Sequence, residues 1–497
     1  MKKLACRFKK LFSLPGWLLF LLVFVLILRI PSFFHPYVYG DECIYLTLGE
    51  AVKRGLVLYR DIHDNKPPLL YLLAAASSSL FWFRVILGIW NLVTIYLFFL
   101  LAKNLFLAKK KLIFLATTVF ALLTTLPFLE GNIANAEIFM ALPSLAGIFL
   151  ILCGKNDRFW RFLVAGVLFS LASLFKVPAA FDFAAAFVFL LLFQETEFFG
   201  GTKSKIKVLF ILVAGFLLPI LATFVYYWSH GALFNYLVAA FLQNFGYLSS
   251  WQTGSHSDNF LQGGLAQRGL ILLGFVGILF WTRKKMEKKF LLVLLLFGFS
   301  LFAALLPQRP YPHYLIQVAV PLSLLVAFIF ESKKLLRLTS VAMVFVFSVV
   351  FLSLHFWYYP TLPYYRNFIS FALGEKTKDE FFSTFGKEVN RNYQIAQFLN
   401  SHTAKNEKIF IWGDSPCLYA LSRRLPTGRY TASYHIIDFN GFNETLKTLK
   451  EQKPRFIIDL QNENRPFPNF PQFLEKNYFL LKEENGAKIF FRRPSEK

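Results

Sequence analysis

Asp41 and Glu42 are adjacent carboxylates that follow the first long hydrophobic run of this chain. Lys66 follows about two dozen residues later, in Asn65-Lys66-Pro67-Pro68. A carboxylate can act as a general base when it lies within hydrogen-bond reach of a hydroxyl. An ammonium can stabilise negative charge that develops on a leaving group. Asp41 is therefore the candidate base, with Glu42 supporting it electrostatically or helping to hold a cation. Each group also has a plainer reading. Asp41 at a helix N-cap would satisfy backbone amides, a first-turn Glu42 would suit the helix dipole, and Lys66 would snorkel to a membrane interface.

Three more clusters carry reactive groups. Glu130-Gly131-Asn132-Ile133-Ala134-Asn135-Ala136-Glu137 opens a hydrophobic run, and Glu137 is either a site carboxylate or a helix-terminal one. Arg309-Pro310-Tyr311-Pro312-His313-Tyr314 suits phosphate and sugar hydroxyls, or else forms an interfacial anchor. Arg84 starts a hydrophobic run and either meets phosphate or snorkels. Glu42 and His63, with Asp41 and Asp64, leave a divalent cation open, because carboxylates and imidazole bind such ions. Their spacing is not that of a metal motif, and the metal is left unassigned.

The elements that must position these groups are membrane helices. The chain has 497 residues, of which 56% are hydrophobic, with mean hydropathy +0.49, against roughly 45–50% apolar in soluble domains. The excess lies in long runs that read as bilayer spans. Candidate spans are 15–34, 84–107, 111–128, 137–153, 160–176, 178–194, 206–228, 266–282, 290–306, 313–330 and 336–357. The net charge of +24 does not point to nucleic acid, since much of it sits in short clusters between hydrophobic runs. Five Lys/Arg residues in Met1–Lys10 precede Leu18–Ile30 without a small-residue cleavage site, which reads as an uncleaved signal anchor.

Basic loops stay on the cytoplasmic side. Eleven spans put Lys109–Lys111, Lys155–Arg161, Lys203–Lys207, Arg283–Lys289 and Lys333–Arg337 together inside, with the N-terminus. The opposite loops, and everything after about Tyr358, then face outward across the cell membrane. If the apolar segment Pro67–Phe83 also spanned, every later loop would reverse. It is therefore expected to be a re-entrant or juxtamembrane helix; the alternative is that it spans and that a break near Lys176–Pro178 is misread. Gly40–Gly55 reads as an amphipathic interfacial helix with Asp41 at its N-cap and Gly55 at its stop.

Residues 1–373 thus form a helical polytopic membrane domain, and 374–497 a small α/β domain. Lys408–Gly413 and Arg455–Asp459 read as strands, Tyr393–Leu399 and Phe442–Leu449 as helices. Tyr478–Leu481, Asn485-Gly486 and Ile489–Phe491 form a hairpin signature. No GxGxxG or P-loop occurs in this domain. Cys6, Cys43, Cys153 and Cys417 are far apart and make no CxxC, so no disulfide framework or zinc site is expected.

Asp41-Glu42 after the first span, then Tyr45, Gly55, Leu58-Tyr59-Arg60-Asp61 and Asn65-Lys66-Pro67-Pro68-Leu69, resembles the GT-C superfamily of integral membrane glycosyltransferases. The matching branch is the 39/83 type, which includes protein O-mannosyltransferases and lipid A aminoarabinose transferases. The resemblance covers residues 1 to about 360 in topology, with its motifs concentrated in 39–69 and echoes at 130–140 and 308–314. It implies a polyprenyl-phosphate sugar donor, an extracytoplasmic acceptor, and direct displacement with inversion. It implies that Asp41 is the base or acceptor-binding acid, that Lys66 meets the donor phosphate, and that Glu137 stands where relatives often have Asp. Some relatives act without an essential metal. Two other classes remain in view. One is a transporter or flippase of lipid-linked saccharide, with Asp182 and Gln243 as intramembrane polar candidates. The other is an envelope scaffold using the C-terminal domain.

Overall fold

The computed structural model describes residues 14–494 apart from 108, 154–158, 195–200, 244–263, 308 and 461–464. The basic run Met1–Lys10, part of the Lys155–Arg161 cluster and most of the loop before Leu265 lie outside the described residues. The hydrophobic runs form α1 (Gly16–Phe34), α4 (Leu80–Phe106), α5 (Lys110–Leu123), α6 (Ala136–Cys153), α7 (Trp160–Phe175), α8 (Ala180–Val188), α9 (Thr202–Ser229), α10 (Gly264–Thr282), α11 (Lys288–Leu305), α12 (Ala319–Phe328) and α13 (Lys334–Ser353). Between α1 and α4 lie α2 (Gly40–Lys53) and α3 (Leu69–Ser77).

Every expected span coincides with one of these helices. Six of the described helices are long and apolar enough to cross a bilayer unaided. Others are short because the helix changes pitch: α8 continues as a π-helical turn over Phe189–Phe193, and α12 is entered through a 3-10 turn over Pro312–Val318. An additional short helical segment, Leu233–Leu242, occupies part of the loop after α9, where no element was expected. Its Tyr236 supplies buried aromatic surface.

Three basic loops meet at one end of the bundle. Lys109 pairs with Glu331 and Lys333 with Glu287, and Lys289 Nζ donates to the Asn104 carbonyl at 2.9 Å. The other end carries α2, α3 and the C-terminal domain. The nine residues of α3 extend only about 13 Å, too short for a ~30 Å hydrocarbon core. The juxtamembrane reading of this segment therefore holds.

The expected surface helix is enclosed instead. Nine residues of α2 are buried, including Glu42, Tyr45 and Gly49. At Gly49 a Cβ would come within 2.6 Å of the Ala75 amide, so only glycine permits this approach of α2 to α3. The other side of α2 is covered by α15, introduced below. Asp41 is not the N-cap: Tyr39 occupies that position, without a side-chain cap, and Asp41 and Glu42 both stand in the first turn. Gly55, at φ +80°, ends the helix as expected.

The C-terminal domain contains α14 (Glu388–His402), β1 (Phe410–Trp412), α15 (Cys417–Ser422), α16 (Ser433–Asp438), α17 (Phe442–Gln452), β2 (Phe456–Leu460), β3 (Tyr478–Glu484) and β4 (Ala487–Arg492). The sheet order is β1-β2-β4-β3, with β1 and β2 parallel and the remaining pairs antiparallel. Asn485 and Gly486 both have positive φ, as a two-residue hairpin turn requires. One expectation fails clearly. Cys43 of α2 and Cys417 of α15 form a disulfide across 374 residues. Spacing cannot reveal such a pair, because the fold alone brings the two helices together.

Candidate active site

The loop between α2 and α3 aims Lys66. Asp61 Oδ2 accepts from the Val57 amide at 2.8 Å and closes a turn in which Tyr59 takes positive φ. This sends the Tyr59 ring into the bundle, 5.2 Å from Tyr227 and 5.1 Å from Tyr236. Its hydroxyl donates to the Lys66 carbonyl at 2.8 Å, and the Lys66 amide donates to Tyr71 Oη at 3.1 Å. With its backbone held at both ends, Lys66 places Nζ 3.3 Å from Asp41 Oδ2 and 5.0 Å from the Tyr45 ring centre.

Asp41 also accepts from Tyr45 Oη at 2.9 Å. Its side chain keeps about a third of its exposure. Burial acts to raise its pKa, but the Lys66 charge, aided by His313 and the Tyr45 hydroxyl, outweighs burial and holds it at about 2. The carboxylate thus serves the cluster rather than the helix amides, which is why the capping expectation fails.

Glu42 points the other way. It forms a bidentate pair with Arg84, with Nε to Oε1 at 2.9 Å, and also accepts from the Ala134 amide at 2.8 Å. Arg84 Nη1 donates to the Ser32 carbonyl at 2.8 Å. Both side chains are fully buried. These contacts correct two expectations. Arg84 has no exposed face for phosphate, and the Glu42 carboxylate is committed to a brace between α1, α2, α4 and the loop before α6. His63, the other metal candidate, lies among the rings of Tyr430, His435 and Phe439 of the C-terminal domain. Among the described residues no group of three or more His, Cys, Asp or Glu side chains is arranged to hold a metal.

The remaining candidates converge. Glu137, in the first turn of α6, pairs with Lys176. Lys176 sits at the break between α7 and α8, with Nζ 4.1 Å from the Tyr314 ring centre. His313 stands between two carboxylates. Its Nδ1 is 2.5 Å from Glu130 Oε2, and its Nε2 is 3.9 Å from Glu137 Oε1. Glu130 Oε2 also accepts from Tyr39 Oη at 2.8 Å and Asn135 Nδ2 at 3.1 Å. Arg309 is half-buried in the approach to the His313 turn. Below, Asp182 accepts from Ser144 at 2.5 Å, Ser300 at 3.0 Å and Gln317 at 3.1 Å. These bonds fasten the helix bearing Glu137 to the turn bearing His313.

Three acids, Asp41, Glu130 and Glu137, thus face three nitrogen bases, Lys66, Lys176 and His313, at the mouth of an apolar bundle. Sequence reasoning missed Lys176 and the role of Glu130. The available signal was a lone lysine before Val-Pro between two apolar runs, and a glutamate in an otherwise small-residue loop.

No protein-family model matches this chain, and no curated protein matches it. Its structure is similar to ArnT from Cupriavidus metallidurans bound to undecaprenyl phosphate, with TM-score 0.52 at 13% identity over 97% of this chain and 98% of that one. The apo state of the same protein gives TM-score 0.53 at 13% identity over 96% and 97%. The likeness shows the fold: a polytopic helical membrane protein carrying a small C-terminal sheet domain.

Proposed function

We propose that this chain is a membrane glycosyltransferase that moves a sugar from a polyprenyl-phosphate donor to an acceptor nucleophile by inverting displacement. The observation that carries the reading is the Asp41–Lys66 pair, 3.3 Å apart at the bundle mouth. The acceptor oxygen attacks the anomeric carbon, and the bond from that carbon to the phosphate oxygen breaks. Its electron pair leaves with the lipid phosphate. Asp41, ionised at neutral pH, orients the acceptor hydroxyl. Lys66 and Lys176 supply positive charge where the phosphate accumulates negative charge, and Arg309 and Tyr314 line the approach. The shared fold supports this reading, as does the undecaprenyl phosphate bound by ArnT.

The site is proposed to face outward across the cell membrane, with the N-terminus inside. The basic loops at the opposite end of the bundle support this. The Cys43–Cys417 disulfide supports it independently, because both cysteines flank the site and disulfides persist in oxidising compartments.

The test is transfer by purified protein in proteoliposomes. Undecaprenyl-phosphate mannose and undecaprenyl-phosphate glucose, labelled in the sugar, are supplied with envelope lipid and protein as acceptors. The expected result is labelled product and free undecaprenyl phosphate. A chain that carries intact donor across the bilayer without cleaving it would be a transporter, and the proposal would fall.

A further inference from the structure

We propose that His313, oriented by Glu130, is the group that takes the acceptor proton. This rests on the glycosyltransferase reading and adds a catalytic residue to it.

The geometry is that of a carboxylate–imidazole dyad. Glu130 Oε2 collects donors from Tyr39 and Asn135 in addition to the 2.5 Å contact with His313 Nδ1. A carboxylate so surrounded is an acceptor only, so the Nδ1 facing it carries the proton. Nε2 then faces the side of Glu137. A carboxylate that fixes the imidazole tautomer in this way leaves the other nitrogen free to act as base. Nε2 and Glu137 Oε1 are 3.9 Å apart, so one oxygen can touch both at hydrogen-bond distance. An acceptor hydroxyl placed there has a single proton to give and lies within reach of Nε2 as its acceptor.

Asp41 is poorly matched to this task. A general base works best with a pKa near the operating pH, and Lys66 holds Asp41 far below that, at about 2. The groups around His313 can stabilise the charged ring once formed. Glu130 faces Nδ1, Glu137 faces Nε2, and Asp41 lies within electrostatic range. Lys176 opposes them through its pair with Glu137, while Tyr39, Tyr311 and Tyr314 complete the surroundings. In the reaction the acceptor O–H bond breaks as oxygen bonds to the anomeric carbon. The proton moves to Nε2, the electron pair of the cleaved bond leaves on the lipid phosphate, and the imidazolium returns its proton to water after product departs.

The test has two arms. In the first, sugar transfer from the two undecaprenyl-phosphate donors is followed against pH for wild type, His313→Gln and Glu130→Gln. His313→Gln is expected to lower kcat at least about 100-fold with donor KM unchanged, and to abolish the acidic limb of the profile. Glu130→Gln keeps a limb but shifts its midpoint. A His313→Gln enzyme that retains the wild-type limb, or that loses only KM, overturns the proposal. The second arm needs no turnover: 15N-histidine NMR, with the His313 signal assigned by its loss in His313→Gln. The expected signal is a neutral Nδ1–H ring that titrates as pH falls; a ring protonated at Nε2, or charged at every pH, overturns it. Failure of wild-type transfer would sink the glycosyltransferase reading and the base role with it, whereas wild-type transfer with an unchanged His313→Gln profile would sink the base role alone.

Discussion

Lys66 Nζ lies 3.3 Å from Asp41 Oδ2, and its aim is set by two tyrosines that grip its backbone rather than by the carboxylate alone. Removing one partner should therefore leave the other close to its place. Asp41→Asn is expected to insert and fold, and to lower kcat of sugar transfer at least about 100-fold, in the range of lost electrostatic contributions. Lys66→Ala should instead raise the donor KM as well as lower kcat, since it removes a charge that meets the lipid phosphate before and during bond cleavage. Steady-state kinetics in proteoliposomes separate the two. Normal transfer by Asp41→Asn would remove that residue from the mechanism.

Glu42 is a neighbour of Asp41 with a different fate, and mutation should expose it. Its bidentate pair with Arg84 is fully buried. Breaking such a pair on one side leaves an uncompensated charge and costs about 3–5 kcal/mol. Arg84→Met and Glu42→Gln are each expected to lower the detergent-solubilised melting temperature and yield sharply. The double variant should recover part of that loss, because no lone charge remains. Single variants with wild-type stability and selectively lost transfer would instead place Glu42 in the chemistry.

Tyr59 should act at a distance. Its hydroxyl holds the Lys66 carbonyl while its ring packs on Tyr227 and Tyr236. Tyr59→Phe keeps the packing and loses one hydrogen bond, worth about 1 kcal/mol. The expected result is a nearly unchanged melting temperature and a several-fold weaker use of donor. A change confined to stability would show that the turn does not aim Lys66.

The helices and the site differ in how much of them sequence can show. Spans such as Leu80–Phe106 declare themselves by local composition, and the Asn485-Gly486 hairpin by turn chemistry. Both signals lie within a few residues of the element they specify. Asp41, Lys66, Glu137 and His313 were also visible, as polar groups stranded beside apolar runs. Their partners were not. Glu42 meets Arg84 across 42 residues, Glu130 meets His313 across 183, and Cys43 meets Cys417 across 374. Each pairing is decided by how helices pack, which no local pattern encodes. The same limit explains α2, read as a surface helix from its amphipathic spacing. Its polar side chains meet a second domain whose docking is invisible in the spacing.

The disulfide gives that docking a chemical handle. Cys43 and Cys417 are both buried, so the intact protein is expected to resist maleimide at these positions until it is reduced and unfolded. Cys417→Ser removes a tie typically worth about 2–4 kcal/mol and frees α15 from α2. Limited proteolysis of the C-terminal domain should then accelerate, and transfer should fall because Asp41 sits two residues from the lost anchor. Ready labelling of native Cys43 at wild-type level would contradict the bond.

Acid should loosen the same contact by a second route. His63 and His435 face each other at the junction of the α2–α3 loop and α16, with ring centres 5.8 Å apart. Burial lowers the pKa of both. For His63, His435 and Arg429 reinforce this, whereas Asp64, with Oδ1 3.6 Å from His435 Nε2, acts in the opposite sense on His435. A histidine whose pKa is lower when docked than when free binds more protons in the free state, so docking strengthens as pH rises. The contribution is present above the free value of about 6.5 and declines as pH falls below it. Hydrogen exchange over 429–439 should therefore be slow at pH 7.5 and faster at pH 5.5 after correction for intrinsic rates. His63→Phe, which retains an aromatic ring among Tyr430 and Phe439, should reduce that difference. Equal protection at both pH values in wild type would mean that titration of these histidines does not govern the contact, which the disulfide, the Arg54 bonds to the Lys405 and Arg423 carbonyls and the His63 amide bond to the Arg429 carbonyl also hold.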